Sequence, residues 1–269
     1  MNIYFTKRLL GQWGHAQGKA AVSFDLGMTQ RNVGRKRLEE IVGDINMKLG
    51  GERLKENYIY LLKKGEIYRL ALFHDSHFYK LKMMNGFREP VLEIDGIRMH
   101  VIRGFSSAND HINEIMKLID GNRGSCLEIC SGLGYWTSGL SKRYGKVVTI
   151  EKSKAVIALA KLNPHSRGLF SRNVKRIYGD AFGKVGKIRE KFDCVVHDPP
   201  RYTHAPQLYS NEFYGMLRER LNPGGRLFHY TGTFTSHGGF HANIGKSLES
   251  AGFRDVKRIE RMQGFIARL

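Results

Sequence analysis

Four carboxylates carry the clearest chemical pattern in this sequence: Glu128, Glu151, Asp180 and Asp198 each stand at or near the end of a short apolar run. The first belongs to LEICSGLGYWT, in which Gly132-Leu133-Gly134 leads from the run into a helix-like pattern. Glycine lets the main chain turn tightly and approach a ligand, and a helix N-terminus presents unpaired amides. Cys130 and Tyr135 border that turn and join it as candidate ligand contacts. Glu151 follows Gly134 by 17 positions, with Lys152 next to it; a carboxylate there can accept both hydroxyls of a nucleoside ribose. The third run ends in Gly179-Asp180-Ala181, an acceptor placed for an exocyclic amine of the base. The fourth ends in His197-Asp198-Pro199-Pro200-Arg201. Taken singly, each acidic residue can also be read as a helix cap or a surface charge. Four at consecutive strand ends are not explained that way.

Asp198, Pro199, Arg201 and His197 form the candidate reacting end. His197 and His204 flank the turn and titrate near neutrality, so either can serve as a base, although a strand histidine satisfied in the core explains His197 equally well. His229, His237 and His241 surround TGTFTSHGGFH, which reads as a substrate-facing loop or as a plain linker. No carboxylate or cysteine accompanies these histidines at ligand spacing, so no metal site is expected. Cys126, Cys130 and Cys194 fall in apolar runs without a CxxC spacing and read as buried thiols of a reducing compartment.

The elements that must position these residues alternate regularly. Strands are expected at 125–130, 147–150, 174–178, 192–197 and 226–230. Helices are expected at 112–119, 135–144, 155–162 and 212–221, with a weaker one at 182–189. Such alternation requires crossovers, and so a parallel sheet with helices on both faces and ligands beyond the carboxyl ends of the strands. A helix at 242–251 and a hairpin of 255–260 and 265–269 close the sheet edge. Before a connector at 104–110, the chain reads as a small α+β or β-rich domain, with a helix at 36–49 and strands at 58–62, 67–73 and 78–83. The expected boundaries are 1–105 and 106–269.

On these motifs the sequence resembles the class I S-adenosylmethionine (SAM)-dependent methyltransferases. The resemblance implies a Rossmann-like α/β fold whose seven-stranded sheet is parallel except for its last strand. It also implies that Glu128, Gly132 and Gly134 line the methionine end of SAM, that Glu151 binds the ribose, and that Asp180 and Ala181 contact adenine. In members acting on exocyclic amines an Asn/Asp-Pro-Pro-aromatic turn holds the amine. Here Arg201 replaces the aromatic residue and Tyr202 follows it. A dinucleotide oxidoreductase is disfavoured, because Thr137 stands where G-x-G-x-x-G needs its third glycine. HDPPRYTHAPQLYSNEFYGMLRERLNPGGRLFHYTG with LEIDGIRMH is similar to a group of predicted archaeal methyltransferases, and LYSNEFY and LNPGGRL are similar to spermidine synthases.

Composition narrows the acceptor. The chain carries 44 Lys and Arg against 25 Asp and Glu, a net charge of +19, which creates a field attractive to polyanions. Counted from the sequence, 18 positive and 11 negative residues precede Phe105 and 26 and 14 follow, so neither part is a simple basic tail. Tyr68-Arg69, Phe78-Tyr79-Lys80 and Phe87-Arg88 interleave rings with cations, as a surface that stacks bases would. The expected function is methylation of RNA, a tRNA base nitrogen being favoured, in the cytoplasm and away from membranes, since no apolar run reaches 18 residues. A small-molecule methyl- or aminopropyltransferase is the alternative, disfavoured because Asp198 lacks a nearby second acid to hold a polycation. A SAM- or nucleic-acid-binding module without catalysis is the third reading.

Overall fold

The computed structural model describes residues 2–101, 104–119, 124–232 and 239–269. The chain divides into two compact units, Met1–Ala108 with Ala158–His165, and Asn109–Ile157 with Ser166–Leu269.

The second unit holds a seven-stranded sheet. Its strands are β1 (Ser125–Ile129), β2 (Lys146–Glu151), β3 (Val174–Tyr178), β4 (Phe192–His197), β5 (Leu221–Tyr230), β6 (Arg254–Ile259) and β7 (Gly264–Arg268). They lie in the order β3-β2-β1-β4-β5-β7-β6. The first five pair in parallel, and β7 runs antiparallel to both neighbours. The helices are α1 (Ala108–Ile119), α2 (Tyr135–Leu140), α3 (Lys154–Leu162), α4 (Ala181–Val185), α5 (Asn211–Glu219) and α6 (Phe240–Ser250). This is the Rossmann-like class I methyltransferase architecture, with its mixed sheet and an added N-terminal unit.

Side-chain alternation along the strands decides which face each residue serves. Leu127, Ile129, Val148, Ile150, Val195 and Leu227 face a core shared with α4, α5 and α6. Thr149, Glu128, Val196 and Phe228 are lateral neighbours on the other face. There α2 sets Trp136 against Phe228 at 5.4 Å and Thr137 against Glu128.

Several expected boundaries move, two helix ends among them. The helix expected at 212–221 stops at Glu219, and Leu221 instead opens β5 by pairing with Phe192 across a bulge. The helix expected at 135–144 ends at Leu140.

The first unit contains a three-stranded sheet (Ile3–Phe5, Tyr60–Lys63, Glu66–Arg69), a two-stranded one (Ala20–Val22, Arg31–Val33) and a four-stranded one (Ala71–His74, His77–Met84, Phe87–Ile94, Ile97–Arg98). The run expected as one strand at 67–73 breaks at Leu70. That residue is fully buried and bonds through its main chain to Ile59 and Leu81, passing the chain from one sheet to another. Helices Lys7–Gly14 and Arg35–Leu49 bury Leu10, Trp13, Leu38, Ile41 and Ile45 against the three-stranded sheet.

Candidate active site

Chain reversal after β1 shapes the site. Cys130 leaves the strand at φ 68°, and Gly132 and Gly134 follow at 54° and 78°, a region that costs most residues strain. A side chain on Gly134 would place its Cβ 2.6 Å from Leu169 Cβ, whereas one on Gly132 would meet nothing within 4 Å. Gly134 is therefore held by packing, and Gly132 opens onto free space.

Glu128 is fully buried in the middle of its face and accepts a hydrogen bond from Thr137 Oγ1 at 2.5 Å. Its Oε1 forms no hydrogen bond, although the hydroxyl of its strand neighbour Thr149 is close enough to lower the carboxyl, and the buried Oγ of Ser131 forms none either. Burial, with a smaller push from the charge of Glu151, raises the Glu128 carboxyl to about 7. An unpartnered buried acceptor and hydroxyl flanking an open glycine turn fit the ammonium and carboxylate of the SAM methionine end, because leaving such groups unpaired is costly.

Glu151, at the end of β2, is half-buried. Its two oxygens accept from the main-chain N–H of Gly132 (2.9 Å) and of Ser153 (2.8 Å), and burial pushes its carboxyl up against those bonds. Each oxygen keeps a lone pair for a ribose hydroxyl. Asp180 caps α4, with Oδ1 accepting from Phe182 N at 3.0 Å, so the capping reading holds for that oxygen. Ala181 is buried behind it and Lys152 is exposed beside Glu151. The Cys130 thiol is raised by burial first, then by the charges of Glu151, Asp198 and Asp180, so three strand ends converge on one residue. Tyr135 is buried at the start of α2.

Asp198 lies just past β4 on the Glu128 face, its N–H bonded to Ile129 O at 3.2 Å. Burial and then the charge of Glu128 raise its carboxyl to about 7. Pro199 is buried and Arg201 is exposed at the head of a short turn, Tyr202–His204. Of the aromatic residues around this turn, the sequence pointed to Tyr202 but assigned no role to Tyr209 or Phe240. Tyr209 donates to Pro200 O at 2.8 Å, and Tyr202 meets Tyr209 and Phe240 edge-on at 5.5 and 5.6 Å. Tyr209 and Tyr230 both feel the charge of Asp198, and burial raises both phenols. Tyr209 was within reach of the sequence, in LYSNEFY; nothing in the sequence marked Tyr230.

His197 is placed elsewhere. One residue before Asp198, it points to the opposite face, fully buried, and stacks on its parallel-register neighbour His229 with ring centroids 4.3 Å apart. Burial first, then His229, keep it far below the ordinary range, and neither ring nitrogen has a partner. The reading of His197 as a base at the reacting end is corrected on this geometry to a core residue. His229 bonds Tyr214 at 3.0 Å and is held at about 3 by burial. His204 is exposed beside Thr203, and His241 bonds Gly232 O at 3.0 Å. His237 lies outside the described residues.

Two cavities, of about 560 and 180 Å³, lie at the other edge of the sheet, around residues such as Lys191, Gly224 and Arg226. Glu151, Asp180 and Asp198 stand at the carboxyl ends of the strands and line neither cavity. Among the described residues no cluster of His, Cys, Asp or Glu could hold a metal, and no helix is long and apolar enough to cross a membrane.

The sequence pattern of an S-adenosyl-L-methionine-dependent methyltransferase family matches residues 158–265. An uncharacterized protein of Methanocaldococcus jannaschii is 38% identical over 218 residues, covering 79% of this chain and 74% of that protein. Ribosomal RNA large subunit methyltransferase I of Photobacterium profundum is 24% identical over 180 residues, 63% of this chain and 45% of the relative. Polyamine aminopropyltransferase 2 of Aquifex aeolicus is 35% identical over 107 residues, 39% and 21%. In structure the chain is similar to spermidine synthase from Thermotoga maritima, with a TM-score of 0.56 at 16% identity over 75% of this chain and 74% of that one.

Proposed function

Because this chain belongs to the S-adenosyl-L-methionine-dependent methyltransferases, we propose that it methylates a nitrogen of an RNA base in the cytoplasm, transfer RNA being the favoured class. The observation that carries this reading is the Asp198 carboxyl, raised to about 7 just past β4 in a chain of net charge +19. When bound, SAM supplies a methyl group on a cationic sulfur that leaves with the S–C electron pair.

The chain's own residues then have three tasks. Glu128, Ser131 and the Gly132 turn hold the amino-acid end, while Glu151 and Asp180 hold the nucleoside. Asp198 and the Pro200 carbonyl, the latter fixed by Tyr209, align the acceptor nitrogen, since in-line geometry is the main demand of such a transfer. As the new N–C bond forms, the nitrogen's proton passes to the Asp198 carboxylate, whose position near 7 suits a base working at neutral pH. Exposed Arg201 beside the turn is available to an RNA phosphate or a base plane.

A relative named as a ribosomal RNA methyltransferase supports the RNA class, so ribosomal RNA is the second arm of the test. The short match to a polyamine aminopropyltransferase favours a small-amine acceptor as the competing reading. Purified protein with radiolabelled SAM is expected to label bulk tRNA or rRNA in a nuclease-sensitive form. Label found in a polyamine and in neither RNA would reject the proposal.

A further inference from the structure

The larger cavity, about 560 Å³, has no part in the site described above. It lies at the edge of the sheet where β4, β5 and β6 begin, opposite the carboxyl rim. Lys191, Arg218, Arg220 and Arg254 line it, with Glu219 as the one acidic side chain. Arg220 spends one Nη on Glu219 at 3.1 Å, and its buried Nε has no hydrogen-bond partner. Lys191, Arg218 and Arg254 are exposed, and none forms an ion pair among the described residues.

Three cations without an ion partner, beside the Arg220–Glu219 pair, repel each other around one cavity, and solubility alone gives no reason to gather them there. A polyanion relieves that repulsion, and guanidinium forks match the geometry of phosphate oxygens. We propose that this cleft grips the phosphodiester backbone of the RNA, on the side of the unit away from the reacting end. Contacts of this kind set the register of a nucleic acid without reading its sequence. The inference rests on the RNA reading of the site, because an acceptor as small as a polyamine bound at the rim has no phosphates to offer.

The test compares two double variants, Lys191→Gln with Arg254→Gln, and Lys142→Gln with Lys246→Gln. The second pair removes the same charge from exposed positions elsewhere in the unit. Binding of a labelled bulk tRNA pool is followed by anisotropy across a salt series, with thermal melts to check folding and calorimetry for SAM. The cleft pair is expected to lower the log–log salt slope by about two, one for each cation removed. It should also raise KM for RNA several-fold while kcat and SAM affinity stay within two-fold. The control pair should move the slope by less than half as much. Equal slopes for the two pairs, with RNA still methylated, overturn the cleft and leave the RNA reading standing. Loss of RNA binding only in the cleft pair, in a protein that labels no RNA, upholds the cleft and removes the RNA as methyl acceptor.

Discussion

Asp198 and Glu128 share one face of the sheet, and each carboxyl is pushed to about 7 by burial before any ligand arrives. A cationic ligand pairs with the ionised forms, so below that point binding must first expel protons. SAM affinity is expected to rise as pH climbs from 6 to 8, with net proton release detectable by calorimetry in buffers of different ionisation heat; a flat profile would count against Glu128 at the methionine end. The stability linkage runs the other way. Glu128 titrates near 4.5 when unfolded and near 7 when folded, so its contribution is intact below 4.5 and is lost as pH rises through 7. Glu128→Gln should therefore gain on the order of 2 kcal/mol over wild type between pH 5 and pH 8, read from denaturant melts. Asp198→Asn is expected to lower kcat by about 100-fold or more while SAM affinity changes only a few-fold, as for a group acting on the proton in flight. The identities of these acids were legible because each stands at the end of an apolar run. The role of His197 was not, since a residue type says nothing about which face it takes; one step along β4 separates the rim from the core.

Among the elements, the turn from β1 to α2 can be dissected by its two glycines. Gly134→Ala forces a Cβ into Leu169 at a positive φ, and should cost roughly 1–3 kcal/mol of stability. Gly132→Ala carries the φ strain alone, because nothing lies within 4 Å of the added carbon. It should melt closer to wild type than Gly134→Ala while weakening SAM binding at least ten-fold; an unchanged SAM affinity would mean that Gly132 faces no ligand. Strands β1 to β4 were readable because apolar runs and turn residues coincide there. The strand Phe87–Ile94 was not, because Glu89 and Glu93 interrupt its pattern. Both are buried: Glu89 accepts from Ala108 N at 2.9 Å, and Glu93 pairs with Lys80 and Lys82 at 2.6 and 2.8 Å. The short helix Lys7–Gly14 escaped notice because its apolar residues are few, although Thr6 caps it through Leu9 N at 3.2 Å.

For the whole molecule, the net charge of +19 is the ground on which a polyanionic partner is proposed, and the ring-and-cation pairs of the sequence do not form one open surface for it. Tyr79 and Phe87 are buried. Arg69 and Lys80 instead gather with Lys55 about Tyr58, at 5.1, 5.4 and 6.0 Å from its ring, a cluster that only folding assembles. Strand β4 spans six residues between the cleft edge and Asp198, roughly 20 Å at the usual rise per residue. The sheet thereby acts as a ruler. On the RNA reading proposed above, a helical stem shorter than that separation cannot touch both ends at once. Trimming a substrate stem should leave KM nearly level until that length and then raise it in a single step.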